Sequence, residues 1–111
     1  MRLSLMLDAI GNIESFMAGV CDYDSFVKNK ILVHAVVYNL QCLGESVYKL
    51  TKEYRAGHPD IDWRAIESFR HIIVHDYYQM EIPLVWSGLK NDLTPIKEYL
   101  LQQGVTSQGI L

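Results

Sequence analysis

Apolar residues recur at helical spacing along almost the whole 111-residue chain, and this period constrains the fold more than any other feature. Side chains three and four residues apart share one face of an α-helix. The first stripe consists of Leu3, Met6, Leu7, Ile10, Ile13 and Met17. It predicts a helix that ends near Gly19. No part of the sequence has the alternating period of a half-buried β-strand, so the chain is expected to be all-α.

Two further helices are predicted after a short helical turn within residues 21–30. The first of them is long and presents the stripe Leu32, Val36, Leu40, Leu43, Val47 and Leu50. The sequence RAGHPDID then interrupts the helical pattern with glycine and proline. Asp62 is a suitable N-cap for the next helix, which is predicted from Trp63 to Tyr78.

A last helix covers residues 85–100 and is expected to bend at Pro95, which lacks a backbone N–H. Because the connections are short, consecutive helices should lie antiparallel. The chain is therefore predicted to form an antiparallel up-and-down bundle of four main helices plus a short extra helix. This bundle would be a single domain over residues 1–111, with its core between about residues 3 and 103 and a frayed C-terminal tail.

The composition limits which functions and which cellular environment are expected for the chain. Half of the residues are apolar, a surplus that indicates self-association as a homodimer. The formal net charge is −3 and there is no run of lysine or arginine, so binding to double-stranded DNA is not expected. No segment approaches the roughly 20 apolar residues needed to cross a membrane. Cys21 and Cys42 match no metal-binding spacing and are expected as reduced core residues of a cytoplasmic protein.

The sequence SFRHIIVHDYYQM, residues 68–80, concentrates titratable and hydrogen-bonding side chains among apolar neighbours. On a regular helix, Arg70 and Tyr77 would lie within the buried face. A buried guanidinium keeps its charge and needs an anionic partner, which Glu45 of the long helix or a bound phosphate could provide. His75 would lie about 140° around the helix from Arg70. The two side chains could then serve one reaction centre only if the helix end relaxes or a second copy supplies the missing partner.

Two other interpretations of this segment stay open from the residues themselves. Arg70 could form only a structural ion pair. His71 and His75, four residues apart, could instead bind zinc, which would need a third ligand from His34, His58 or a carboxylate without a supporting spacing. We therefore expect no metal or cofactor, and the residues by themselves predict a helical bundle with a polar cleft.

The order Arg70, four residues, His75, one residue, Tyr77 resembles the signature of HepT-type toxins, a branch of the HEPN superfamily. Other stretches fit the same family in the same order, namely LDAIGNIESFM, AVVYNLQCLGESVYKL, HPDIDWRAIESFRHIIVHDYY and VWSGLKNDLTPIKEYL. The likeness covers residues 3 to about 103. It implies a HEPN-like helical bundle that forms a homodimer.

The resemblance also implies a function and a set of site residues. Similar proteins are toxins that cut RNA without a metal ion and are silenced by a minimal nucleotidyltransferase antitoxin, MntA. Arg70 and His75 would be the catalytic pair, with His71 in a supporting role. The RNA, with tRNA as one candidate, would bind in a cleft between two subunits. Tyr77 would be the acceptor to which the antitoxin attaches AMP, with Tyr78 as the alternative.

The sequence departs from the family pattern at several positions. His71 stands where asparagine is usual, which could alter hydrogen bonding to the substrate. IDW replaces IPW, and QMEIPLVW lacks an aspartate often found after the motif; both changes should affect helix boundaries more than chemistry. The acidic net charge favours an alternative function. It is a non-catalytic HEPN-like module that binds a nucleotide or a partner protein and is associated with a nucleotidyltransferase.

Overall fold

The structure, a computed structural model, describes residues 2–71 and 82–105, and within these ranges the chain is helical without a β-strand. In chain order the helices are α1 (Arg2–Phe16), α2 (Tyr23–Lys28), α3 (Lys30–Tyr48), α4 (Lys52–Ala56), α5 (Trp63–Glu67), the 3-10 helix Ser68–His71, α6 (Ile82–Asn91) and α7 (Leu93–Gln102). The prediction of an all-α chain with a short helix before the long one is confirmed. None of the described helices is long and apolar enough to span a membrane.

Helix α3 is the centre of the fold. Helices α1, α2 and α5 and the 3-10 helix pack against it, while α7 packs against α1 and α6. The aliphatic side chains of α1, α3 and α7 that are essentially inaccessible to solvent are Met6, Ile10, Ile13, Val33, Val36, Val37, Leu40, Leu43, Val47, Ile96 and Leu100. Full burial of one such side chain stabilises a fold by about 1.5–3 kcal/mol. The apolar stripes predicted for the first and the long helix therefore form the core.

Local sequence signals set several helix ends. Asn29 separates α2 from α3, and its Oδ1 accepts a hydrogen bond from the backbone N–H of Leu32 at 3.0 Å. Asp62 caps α5 as predicted, since its Oδ1 accepts from the backbone N–H of Ala65 at 3.1 Å. Gly19, in the turn after α1, has a φ of 84°. This left-handed conformation favours glycine and ends the first helix close to the predicted position.

The predicted regular helix from Trp63 to Tyr78 is wrong in its middle. The α-helical conformation ends at Glu67, and residues 68–71 continue as a 3-10 helix; residues 72–78 lie outside the described residues. The Ser68 hydroxyl donates a hydrogen bond to the carbonyl oxygen of Ala65 at 2.6 Å, a bond that competes with regular helical pairing. Successive side chains in a 3-10 helix are about 120° apart rather than about 100°. The predicted angle of about 140° between Arg70 and His75 assumed a regular α-helix throughout, and it stays a prediction because His75 lies outside the described residues.

The predicted helix over residues 85–100 is in fact two helices, α6 and α7, which meet at Asp92. Pro95 explains the break. It cannot donate a hydrogen bond to the carbonyl of Asn91, and its ring would clash with that carbonyl in a continuous helix. In the first turn of a helix a missing N–H costs nothing, because those donors have no intrahelical partner. A new helix therefore begins at Leu93, in place of the expected bend at Pro95.

Helix α4 was not predicted as a separate helix, and the burial of the two cysteines also differs from the prediction. Helix α4 lies in a stretch predicted as the end of the long helix and a loop, and the Thr51 hydroxyl caps it by accepting from the backbone N–H of Tyr54 at 3.1 Å. Cys21 is exposed, in the turn between α1 and α2, and Cys42 is half-buried. The expectation that both cysteines are core residues is therefore wrong.

Candidate functional site

Arg70 lies in the 3-10 helix, beside the C-terminal half of α3. Its Nε donates a hydrogen bond to Glu45 Oε1 at 3.3 Å. Its guanidinium carbon lies 3.6 Å from the centre of the Tyr48 ring. Glu45 and Tyr48 are three residues apart and so share one face of α3. The predicted contact between Arg70 and Glu45 is confirmed.

Gly44 allows the backbone that carries Arg70 to lie directly on α3. A β-carbon at Gly44 would lie 2.7 Å from the backbone nitrogen of Arg70, 3.0 Å from the Ile66 carbonyl oxygen and 3.1 Å from the Glu67 carbonyl oxygen. Real β-carbons do not approach backbone atoms at the shortest of these distances, so a residue without one is needed for this approach. The close packing brings the Arg70 side chain onto the surface of α3.

The contacts of Arg70 with Glu45 and Tyr48 are weak enough for a ligand to replace them. The Arg70 side chain is 27% exposed and that of Glu45 is 42% exposed, so solvent screens the pair, and such pairs contribute about 0–1 kcal/mol. The contact with Tyr48 adds about 0.5–1 kcal/mol at a partly exposed site. A phosphate can accept two parallel hydrogen bonds from a guanidinium. These contacts therefore hold the Arg70 side chain in place, and a phosphate can still compete with Glu45 for the guanidinium.

A groove of about 800 Å³ runs between α1 and α3, with Arg70 in its wall. This volume lies within the range of roughly 300–1,000 Å³ that is typical of small-molecule sites. The lining residues are Leu5, Asp8, Ala9, Asn12, Tyr38, Asn39, Gln41, Cys42, Glu45, Ser46 and Arg70. Asn39 and Glu45, six residues apart on α3, are separated by about 9 Å along the helix axis. The groove therefore extends well beyond the immediate contacts of Arg70.

Buried polar side chains of the described ranges gather in this groove. Asp8, Asn39 and Ser46 are 9%, 8% and 6% exposed, and all three line the groove. Asn12 Nδ2 donates a hydrogen bond to Asn39 Oδ1 at 3.2 Å, and Asn39 Nδ2 donates to the carbonyl oxygen of Ala35 at 3.0 Å. Buried polar groups in a groove wall suit a ligand that forms hydrogen bonds.

The two histidines considered as additional zinc ligands each contact the backbone carbonyl group four residues earlier in the chain. His34 Nδ1 lies 2.7 Å from the carbonyl oxygen of Lys30, and His58 Nδ1 lies 2.8 Å from that of Tyr54. In residues 2–71 and 82–105, no group of three or more His, Cys, Asp or Glu could hold a metal ion. The described part of the chain therefore gives the zinc interpretation no support.

The other predicted site residues are described to different extents. His71 follows Arg70 and is exposed at the end of the 3-10 helix. His75 and Tyr77 lie outside the described residues, as does the alternative acceptor Tyr78. Tyr48 is a contact of Arg70 that was not predicted. Its position one helical turn after Glu45 is the sequence signal that could have identified it.

Comparisons with known proteins find relatives over most of the chain. The family model described as "Ribonuclease HepT-like" matches residues 6–102. A "Putative RNase" of Methanocaldococcus jannaschii is 27% identical over 93 residues, which cover 84% of each chain. A "Probable ribonuclease HepT" of Thermococcus cleftensis is 28% identical over 90 residues, which cover 81% of each chain. No solved structure gives a significant match.

Proposed function

Because the chain belongs to the HepT-like ribonuclease family, we propose that it is the toxin of a toxin–antitoxin pair and that it cuts RNA in the cytoplasm without a metal ion. Two subunits would form the cleft in which the RNA, with tRNA as one candidate, is bound. Arg70 and His75 would be the catalytic residues. The observation that carries this proposal is the position of Arg70 in the wall of the groove. Its guanidinium lies against the Tyr48 ring and forms an ion pair with Glu45, which a phosphate can replace.

The reaction would use the 2′-hydroxyl of RNA as an internal nucleophile. A base removes the proton of this hydroxyl while its oxygen attacks the adjacent phosphorus, and an acid protonates the 5′-oxygen as its bond to phosphorus breaks. The products are a 2′,3′-cyclic phosphate and a free 5′-hydroxyl. An imidazole with a pKa near 6.5 performs either proton transfer at neutral pH. In a dimer, the His75 of one subunit would act as the base and the His75 of the other as the acid.

Arg70 would stabilise the charge that develops on the phosphate oxygens during this reaction. Its planar guanidinium is permanently charged and donates parallel hydrogen bonds to two oxygens. The Tyr48 ring supports one face of this group, so the group is oriented before RNA binds, which favours charge stabilisation in the transition state. His71, exposed next to Arg70, would help to orient the phosphate.

A second copy of the chain would complete the site. The described residues leave several large apolar or aromatic side chains exposed, namely Phe16, Ile31, Tyr38, Tyr48, Leu84 and Leu101. Ile31 is 84% exposed and Leu84 is 63% exposed. Exposed apolar surface of this kind supports self-association. The homodimer would bring Arg70 and both copies of His75 to one cleft.

An MntA-like nucleotidyltransferase antitoxin would silence the toxin at Tyr77. The phenolic oxygen would attack the α-phosphorus of ATP and pyrophosphate would leave, so that AMP becomes joined to the tyrosine through a phosphodiester bond. The attached group carries a negative charge, which would compete with the phosphate of RNA for Arg70. Its adenosine would also occupy space needed by the substrate.

Cleavage of purified RNA or tRNA in EDTA tests this function. The wild-type protein should produce fragments with 2′,3′-cyclic phosphate ends, and His75→Ala and Arg70→Ala should each reduce the rate by about 100-fold or more. His34→Ala and Arg64→Ala are the matched controls, since both residues are exposed and do not line the groove. Retained cleavage by His75→Ala in a nuclease-free preparation would remove His75 from the mechanism. Cleavage that stops in EDTA and returns with added metal would overturn metal independence.

The second candidate is a non-catalytic module that binds a nucleotide or a partner protein. The formal net charge of −3 favours it, because attraction to RNA would have to be local. The ion pair that Glu45 already forms with Arg70 favours this candidate as well. Nucleotide binding without any RNA cleavage in the same preparation would select this candidate.

A further inference from the structure

We propose that Arg55 is a positioning residue for RNA cleavage, which holds the Tyr48 ring and the segment that carries Arg70 in a fixed relative orientation. This inference rests on the proposed ribonuclease function, because the Arg70 guanidinium would stabilise charge in that reaction. Arg55 lies in α4 and does not line the groove. Its effect on cleavage would therefore pass through Arg70.

The Arg55 guanidinium binds the C-terminal end of α3, the helix that carries the Tyr48 ring. Its Nη2 donates hydrogen bonds to the carbonyl oxygens of Val47 at 3.0 Å and of Tyr48 at 3.3 Å. The last carbonyl groups of a helix lack regular helical partners, and a cation close to them also interacts favourably with the helix dipole. Tyr48 is the last residue of α3. Arg55 therefore stabilises the helical turn from which the Tyr48 ring contacts Arg70.

The same guanidinium binds the residue directly before the 3-10 helix. Arg55 Nη1 lies 2.7 Å from Glu67 Oε1, and the two side chains are 26% and 28% exposed. This ion pair is shorter than that of Arg70 with Glu45, at 3.3 Å, and the Glu67 side chain is less exposed than that of Glu45. Because Glu67 ends α5 and Ser68 begins the 3-10 helix, the ion pair connects Arg55 to the segment that carries Arg70.

Helix α4 is itself attached to the rest of the bundle. The Tyr54 hydroxyl lies 2.6 Å from the Tyr99 hydroxyl of α7. The Tyr54 ring meets the Trp63 ring of α5 edge-on, with the ring centres 6.2 Å apart. Tyr99 and Trp63 are both buried. Arg55 therefore extends from an anchored helix to the ends of α3 and α5.

A guanidinium can make these contacts at once because its nitrogens form a planar fork, whereas the ammonium of lysine is a single point of charge. Nη2 binds the two carbonyl groups and Nη1 binds the carboxylate. The Nε atom is shielded from solvent and has no hydrogen-bond partner among the described residues. Since the contacts of Arg70 with Glu45 and Tyr48 are individually weak, the relative position of Tyr48 and Glu67 determines how well Arg70 stacks.

The nuclear magnetic resonance signal of the Arg70 Nε–H group reports this orientation independently of activity. The chain contains four arginines, and the signal is assigned as the one that disappears in Arg70→Lys. The ring current of an aromatic side chain shifts a group over its face, as the Arg70 guanidinium is, so Tyr48→Ala gives the position of the unstacked group. Arg55→Met should move the signal in the same direction as Tyr48→Ala. Lys97→Met, which removes an ion pair of 2.9 Å elsewhere, should leave the signal in place.

RNA cleavage by the full chain measures the consequence of this orientation. At a temperature at which each variant is folded by circular dichroism, Arg55→Met should lower kcat about tenfold and change KM less, because a displaced Arg70 loses its alignment with the charge that forms in the transition state. Arg55→Lys should recover only part of this loss. Glu67→Ala, which keeps the two carbonyl contacts, should lower kcat about twofold to threefold, and Lys97→Met should keep the wild-type kcat.

An unmoved Arg70 signal in folded Arg55→Met would overturn the proposal, and Glu67→Ala provides the same test if Arg55→Met does not fold. A wild-type kcat in a variant whose signal has moved would also overturn it, as would an equal shift in Lys97→Met, which would indicate general loosening of the bundle. Absence of cleavage by the wild-type protein would reject the ribonuclease function. A moved signal in Arg55→Met would then still support the positioning of Arg70 by Arg55.

Discussion

The backbone nitrogen of Arg70 lies 2.7 Å from the position that a β-carbon on Gly44 would occupy. The carbonyl oxygens of Ile66 and Glu67 lie 3.0 Å and 3.1 Å from the same position. Because all three neighbours are backbone atoms, rotation of a side chain could not relieve the crowding that an added methyl group would cause. The absence of a side chain at Gly44 therefore sets the distance between α3 and the segment that carries Arg70.

Replacement of this glycine by alanine should reduce both stability and activity. Gly44→Ala would force the 3-10 helix away from α3, and overpacking of this kind costs about 1–3 kcal/mol. The displaced Arg70 would also lose its alignment on Tyr48, so RNA cleavage should fall about tenfold or more. Urea denaturation measures the first effect, and the rate of cleavage by the folded fraction measures the second.

Gly11→Ala is the matched control for this experiment. Gly11 lies within α1, and among the described residues no atom outside the adjoining residues and backbone of its own helix lies within 4 Å of the position that its β-carbon would occupy. Alanine in a helix interior is more favourable than glycine by about 0.5–1 kcal/mol, so this variant should be more stable than the wild type and equally active. If Gly11→Ala lost as much stability as Gly44→Ala, the contact between residue 44 and the Arg70 backbone would not be the cause of the loss.

Neutralising Glu45 should strengthen binding of RNA. Glu45→Gln removes the carboxylate that competes with phosphate for Arg70 and keeps the shape of the side chain. The dissociation constant for a short, uncleavable RNA should fall about threefold to tenfold, with the largest effect at low salt. Glu14→Gln, which removes the ion pair with Lys97, is the control. Weaker binding by Glu45→Gln would mean that Glu45 acts mainly by positioning Arg70.

Removal of the Tyr48 ring, which lies against Arg70, should lower RNA cleavage, whereas removal of the Tyr48 hydroxyl alone should not. Tyr48→Ala removes the ring that lies 3.6 Å from the guanidinium carbon, and a cation–π contact at a partly exposed site contributes about 0.5–1 kcal/mol. Tyr48→Phe keeps the ring and should retain nearly full cleavage, whereas Tyr48→Ala should lose about twofold to fivefold. Equal losses in both variants would assign the effect to the hydroxyl.

The features that the sequence could predict are those determined by neighbouring residues. The apolar stripe of α3 and the N-cap at Asp62 depend on local spacing and local hydrogen bonds. The pair of Arg70 with Glu45 was predictable for a different reason, because a partly buried guanidinium needs an anionic partner. Each of these inferences needs only a short stretch of chain or a rule about charge.

The features that were missed depend on contacts between distant parts of the chain. The change to a 3-10 helix after Glu67 accompanies close packing on Gly44, which is 24 residues before Ser68 in the sequence. The stacking of Arg70 on Tyr48 depends on how this segment lies on α3. Helical periodicity carries no information about such backbone contacts, so it could predict the ion pair of Arg70 with Glu45 but not the 3-10 helix that carries Arg70.

Control by the antitoxin should depend on a single hydroxyl group. Tyr77→Phe should keep RNA cleavage, because the hydroxyl is not needed for either proton transfer, but the cognate nucleotidyltransferase and ATP should no longer silence the protein. Intact-mass measurement should show the added AMP on the wild type and not on this variant, with Tyr78→Phe as the adjacent control. Silencing of Tyr77→Phe with AMP on Tyr78 would move the acceptor by one residue.

Asp92, at the junction of α6 and α7, should make stability depend on pH. Burial, together with the nearby Asp62 carboxylate, raises the pKa of Asp92 above its ordinary value of 3.8. A folded-state pKa above the unfolded value means that the ionised carboxylate opposes folding, so the penalty is present at neutral pH and disappears as the pH falls below about 3.8. Asp92→Asn should therefore raise the free energy of unfolding at pH 7 by less than about 1 kcal/mol. The gain should vanish at pH 3 in urea denaturation, and a gain that persists there would show that charge is not its origin.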